Sequence, residues 1–251
     1  MQILFILFFN SIFMQVNSDM PAINNTTAFP APALKKEYIT PDFLTGKNNY
    51  YIDTNFIEIP ANMAYRKKMY LLKETYNAYN KMYLAAKKDG ILLKVISASR
   101  TFEEQSWIWE DKWKTNRSKF ESENALSLYI MQYSAMPGTS RHHWGTEVDL
   151  NSTSESYFTS GYGLKVYNWL SQNAAAYGFC QSYNVKGTGR DTGYNEEMWH
   201  WSYYSLANGF LESYKNTVNY SHITGFSGES TARALDVIDN YVMAINNNCS
   251  H

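Results

Sequence analysis

Cysteine is nearly missing from this chain, which has only Cys180 and Cys249 in 251 residues. They form no C-x-x-C metal clip. In an oxidising compartment they would pair and tie the C-terminal tail to the domain; otherwise they are two free thiols. Charge of one sign is also missing. With 22 basic and 23 acidic residues the formal net charge is -1, which removes the basic face that nucleic-acid binding normally needs. Long apolar runs are absent except at the start, where residues 3–13 are apolar but for Asn10 and Ser11. That run is shorter than the ~20 residues a bilayer demands. It fits a secretory signal peptide over residues 1–18, with Val16 and Ser18 as small residues before the cut. No cysteine follows it to carry a lipid, so the expected mature protein has no membrane span and is periplasmic or secreted. No internal repeat and no H-E-x-x-H helix motif occur, which excludes the common zincin arrangement.

Aromatic residues, by contrast, are abundant, at 16% with 21 Tyr and 7 Trp, as in proteins with thick aromatic cores or amphipathic ligands. Residues 19–45 are rich in Pro, Asn, Thr and Ala and read as an extended leader without a core of its own. From 61 to 90, Met69, Leu72, Tyr76, Tyr79, Met82 and Ala85 recur at helical steps, and Asp89-Gly90 ends the pattern. A β-branched strand is expected over 91–99, and helices over 102–115, 121–134 and 161–178. Residues 146–151 and 197–204 read as strands, 184–195 as a polar Gly-rich loop, and 228–246 as a helical tail capped by Ser230 or Thr231. Scattered short strands among helices predict an α+β domain over 46–227, with a C-terminal helical tail over 228–251.

Five histidines serve the whole chain, and two of them, His142 and His143, stand beside Glu147 and Asp149. Glu196, Glu197 and His200 form a second cluster fifty residues on. Catalytic zinc needs three protein ligands and an open position, and two separated His/carboxylate clusters can assemble such a set from different strands. The run Ser140-x-His142-x-x-Gly145-x-x-x-Asp149, followed by Glu197-x-Trp199-His200, resembles the signature of the VanY-type D-alanyl-D-alanine carboxypeptidases. These are LAS zinc peptidases, similar in fold to the hedgehog signalling domain. Ser97-x-x-Arg100-x-x-x-x-Gln105 upstream, Pro137-Gly138 and Tyr177-Gly178-Phe179 add to the resemblance, which covers roughly residues 60 to 205.

That resemblance implies a small central antiparallel sheet carrying a zinc site and flanked by helices. It also implies Zn2+ as cofactor, held by His142, Asp149 and His200, with Glu197 as general base and Arg100 steadying the oxyanion. Gln105, Ser140 and Trp199 are the expected substrate contacts, though Gln105 can equally hold loop backbone, Ser140 can be a turn residue and Trp199 a core aromatic. Glu196 is expected to be a solvated neighbour of the base, Glu147 a group behind the ligands or at the surface, and His143 a pocket-rim or supporting group. Glu197 and His200 are three apart, which an ideal strand would place on opposite faces, so the backbone must turn near Met198, where many relatives have proline.

The implied function is an exported zinc carboxypeptidase acting on peptidoglycan stem peptides and removing a terminal D-Ala. A monomer is the expected state. The alternatives are an L,D-carboxypeptidase or endopeptidase of the same chemistry, or a non-catalytic zinc-stabilised module that binds cell-wall peptide. Retention of Glu197 and Arg100 weighs against the last, because zinc binding alone requires neither.

Overall fold

The computed structural model describes residues 34–249, so the expected signal peptide, the leader up to residue 33 and His251 lie outside the described residues. The end of the expected leader is not extended. Thr40 Oγ1 accepts a hydrogen bond from the Phe43 N–H at 3.3 Å and Pro41 opens the short helix α1 (Pro41–Leu44). Phe43 and Leu44 are buried, and Phe43 packs on Phe210 with ring centroids 5.5 Å apart.

The helix expected from residue 61 starts later. Strands β1 (Phe56–Glu58) and β2 (Tyr70–Leu72) pair antiparallel, with Phe56 opposite Leu72, and only then does α2 (Lys73–Lys88) begin. Met69 and Leu72 continue the helical spacing of α2, but a remote strand claims their backbone. Thr75, Tyr79, Met82, Tyr83 and Ala86 form the buried stripe of α2, and Gly90, at φ 77°, lies just beyond its end. The strand expected over 91–99 narrows to β3 (Val95–Ser97), after which the chain turns Arg100 toward the site. Helix α3 (Phe102–Asn116) starts with a capping box. Thr101 Oγ1 accepts from the Glu104 N–H at 3.1 Å, and Glu104 Oε2 accepts from the Thr101 N–H at 2.8 Å.

Next come α4 (Glu123–Ile130), β4 (Glu147–Leu150), α5 (Glu155–Phe158), α6 (Gly161–Asn173), β5 (Phe179–Gln181), β6 (His200–Tyr203) and α7 (Tyr204–Thr217). The four later strands make one antiparallel sheet in the order β3-β4-β6-β5. Side chains alternate across a strand, so the sequence of β4 puts Val148 and Leu150 on one face and Glu147 and Asp149 on the other. Register then places Ser97, Asp149 and His200 in one cross-strand row, and Glu147 opposite Ser202. Val148 and Leu150 join a core with Tyr79, Leu93, Phe158, Leu170 and Phe179 under the apolar face. Each such fully buried side chain contributes roughly 1.5–3 kcal/mol. A second core, around Trp109, Trp144, Phe210 and Tyr214, supports α3 and the turn that precedes β4. Among the described residues no helix is long and apolar enough to cross a membrane.

The tail is less helical than its pattern predicts. It contains α8 (Thr231–Ala234) and a π-helical turn, Ile238–Val242, separated by Asp236 at φ 49°. Apolar residues at helical spacing there serve packing instead: Val237, Val242 and Ile245 are buried in the second core. Cys180 and Cys249 are bonded, tying the tail to β5.

Candidate metal centre

His142 lies in a 3-10 turn, Arg141–Trp144, that ends at Gly145 with φ 71°. Only glycine suits this position, because a Cβ there would stand 2.5 Å from the Phe56 ring. The turn lifts His142 beside the polar face of the sheet. His142 Nε2 is 3.3 Å from Asp149 Oδ2, and His200 Nδ1 is 3.0 Å from Asp149 Oδ1. One ligating atom from each of the three residues lies within 4.8 Å of the others, and all three residues are buried.

The two imidazoles present opposite nitrogens, because each ring's other nitrogen is held from behind. His142 Nδ1 bonds the Ala98 carbonyl at 2.7 Å. His200 Nε2 stands 2.9 Å from Glu147 Oε2, bent off a straight hydrogen bond. Glu147 is fully buried and its other oxygen accepts from Ser202 Oγ at 2.8 Å and Thr146 Oγ1 at 3.0 Å, with Arg141 Nη2 at 3.3 Å. Burial alone would raise the Glu147 carboxyl, but the Arg141 guanidinium and the two histidines hold it down at about 2. Burial works against a charged His200, yet Asp149 and Glu147 push it up to about 10. Burial likewise opposes the Asp149 carboxylate, and His142 and His200 overcome it and hold Asp149 well below the ordinary range. Carboxylates thus make this a place that favours positive charge. Two imidazoles and one carboxylate, with the far nitrogen of each ring engaged, fit the donor set and outer shell of a catalytic zinc site.

Glu197 precedes β6, and the chain turns at Met198 and Trp199, with the His200 N–H donating to the Glu197 carbonyl at 3.2 Å. The turn expected from the three-residue spacing is therefore present. It brings Glu197 Oε2 to 3.7 Å from His200 Nδ1. Burial, with Asp149 adding, raises the Glu197 carboxyl to about 8 against the pull of His200 and Arg100. Arg100 projects into the same cleft, its buried Nε without a hydrogen-bond partner. The cleft, about 280 Å³, is also lined by Ser140, Trp199, Tyr183 and Tyr194.

Residues 68–206 match the VanY family model, D-alanyl-D-alanine carboxypeptidase. The chain belongs to that family. It is 31% identical over 125 residues to a D-alanyl-D-alanine carboxypeptidase of Enterococcus faecalis, covering 50% of this chain and 45% of that protein. It is 30% identical over 139 residues to the putative carboxypeptidase YodJ of Bacillus subtilis, covering 55% and 47%. The chain thus spans about half the length of the curated relatives it matches. A solved mutant of the vancomycin resistance D,D-pentapeptidase VanY, in complex with Zn(II), is similar at 23% identity and a TM-score of 0.49. That match covers 68% of this chain and 90% of the other.

Within this VanY-family chain, Gln105 takes the loop-holding role and His143 the supporting role that the sequence leaves open to them. Gln105 is not part of the cleft lining. It is buried on α3 and its Nε2 donates to the Ala135 carbonyl at 2.8 Å, so it fastens the loop after α4. His143 is fully buried and away from the cleft rim. The Gly138 N–H donates to its Nε2 at 3.2 Å, so Nδ1 carries the proton and donates to the Arg100 carbonyl at 2.8 Å. The Arg100 N–H in turn donates to the His142 carbonyl at 3.1 Å. The histidine pair therefore divides its work, one ring facing the metal position and the other gripping Arg100. Glu196 is half-buried and accepts from Gln181 Nε2 at 3.3 Å, more enclosed than a solvated neighbour.

Sequence reasoning missed two buried arginines that support the site. Arg141, beside the ligand motif, is almost fully buried, and its guanidinium lies 4.8 Å from the Trp144 ring. Arg190 sits in the polar loop, where its guanidinium donates to the carbonyls of Asn184, Thr192, Tyr194 and Asn195 and pins that loop shut. Nothing local marks either arginine, since both partner sets form only on folding. The tail beyond the family match adds further support: the Asn246 N–H donates to the Ser182 carbonyl at 2.8 Å, and Tyr241 packs on Tyr194 at 5.1 Å.

Proposed function

We propose that this chain is an exported, zinc-dependent carboxypeptidase that releases the terminal D-Ala of peptidoglycan stem peptides. The observation that carries the reading is the convergence in one cleft of the His142–Asp149–His200 donor set, a buried Glu197 carboxylate and an unpaired Arg100 guanidinium. His142 Nε2, Asp149 and His200 Nδ1 would hold the metal. Bound zinc supplies Lewis acidity and lowers the pKa of a water toward ~7. Glu197 would then take the proton of the attacking water and pass it to the departing amine of the terminal residue. Arg100 donates to the carbonyl oxygen as negative charge grows there, a contribution that appears mainly in the transition state. Held through its backbone by His142 and His143, Arg100 needs little reorganisation to do so. Tyr183, Tyr194 and Trp199 enclose the reacting bond and reduce its access to bulk water.

Export is supported by the apolar N-terminal run and by the Cys180–Cys249 bond, which persists in oxidising compartments. Mass spectrometry of a stem pentapeptide ending in D-Ala-D-Ala tests the activity. The wild type is expected to release a single alanine. Glu197→Gln should bind zinc as before and hydrolyse roughly 10²–10⁴-fold more slowly. Unchanged hydrolysis by that variant would show that another group is the base.

A further inference from the structure

Helix α3 turns one face toward the cleft, where Ile108 and Lys112 line the wall one helical turn apart. Gln105, on the same face, fastens the carbonyl of Ala135, and Lys112 Nζ donates to the hydroxyl of Ser134. The loop 133–135 is thereby clasped to α3 at two points, with Tyr133, Ser134 and Ala135 all on the cleft surface. An ammonium has three donors. Among the described residues Ser134 is the one hydrogen-bond partner of the Lys112 ammonium, which forms no ion pair. Arg100 is likewise without an ion pair in the same cleft.

Two cations without counter-ions on one wall are costly in a partly desolvated cleft unless an anion completes them. The two are not equivalent. Arg100 is tied through its N–H to the carbonyl of the candidate ligand His142, whereas Lys112 stands on α3 against the loop 133–135. A peptide cut one residue from its end carries two anionic points, the growing oxyanion and the terminal carboxylate just beyond it.

On the carboxypeptidase reading above, we infer that Lys112 and Ser134 form the anchor for the free carboxylate of the departing residue, and so restrict cleavage to the chain end. Lys112 supplies two unused N–H donors. Ser134, which accepts from Lys112, is left with its own proton to donate. The pair is neither a metal ligand nor a proton carrier in the reaction.

The test compares two stem peptides, one ending in a free carboxylate and one in a carboxamide. Binding is read by calorimetry in the Glu197→Gln protein, and turnover in the wild-type background. Lys112→Met keeps the aliphatic stem and should weaken binding of the acid about 10- to 100-fold, the range of a charge-assisted hydrogen bond. KM should rise similarly, with kcat within about threefold. Binding of the amide should not change. Lys112→Arg should retain most affinity for the acid, and Ser134→Ala should lose less than Lys112→Met; both serve if Lys112→Met does not fold. Equal loss for acid and amide, or no loss for either, would overturn the anchor. If the wild type cleaves neither peptide while Lys112→Met still selectively weakens the acid, the carboxypeptidase reading fails and the anchor stands. If the wild type cleaves the acid and Lys112→Met matches it, the anchor alone fails.

Discussion

The two walls of the cleft are built on opposite rules. On the wall made by β4 and β6, polar groups answer one another in depth: His200 meets Glu147, and Glu147 meets Arg141, Ser202 and Thr146. On the wall made by Arg100, α3 and the loop 133–135, the backbone is tied down while two cationic heads are left without counter-ions. A wall whose outer shell is satisfied holds its inner ligands in one orientation, as metal binding needs. A wall with fixed roots and open heads is complementary to something that arrives from outside. The contrast suits the first wall to a resident cation and, under the function proposed above, the second to an incoming anionic substrate.

The comparison breaks most completely at His142. His142→Ala removes one of the three candidate ligands and is expected to abolish zinc retention, read by metal analysis of the purified protein. Next comes Glu147→Ala, which leaves Arg141 buried without its carboxylate. Losing one partner of a buried pair costs about 3–5 kcal/mol, to be read by chemical denaturation. Zinc affinity should also fall 10–100-fold, because Glu147 backs His200. Unchanged affinity in a folded Glu147→Ala protein would mean that the depth of this wall does not orient the ligand. Cys249→Ser frees the tail that braces the loop over the cleft, and is expected to cost roughly 2–4 kcal/mol of stability.

On the second wall, Gln105→Ala unfastens Ala135 and should cost about 1 kcal/mol. It should raise KM while zinc affinity stays the same, which separates the two walls by measurement. Glu196→Gln should be the mildest, within about 0.5 kcal/mol in stability and close to wild type in turnover. A large loss of turnover there would move the base from Glu197 to its neighbour.

Much of the first wall was legible in the residues themselves. The alternation in 147–150 and 200–203 sorts polar from apolar faces without any knowledge of the fold, and the spacing from Glu197 to His200 demands the turn that is seen. Helix α3 begins at Phe102 as its pattern predicts. The start of α2 was not legible, because Tyr70–Leu72 is taken from the helix by pairing with Phe56–Glu58. Nor was Lys112, since a lysine on an amphipathic helix reads as solvent-facing until a remote loop closes over that side.

By itself, the sequence determined which side chains are able to ligate, which share a strand face and which family the motif spacing resembles, because these depend on residue identity and short-range backbone geometry. Only the tertiary structure decided which nitrogen of each histidine faces the metal position, that His143 grips Arg100 instead of the metal, that Glu147 and Arg141 lie behind the ligands, and that the two cysteines meet. Those outcomes depend on partners 40 to 70 residues away for all but Glu147 and Arg141, and on burial for every one. Burial sets how strongly each charge is felt.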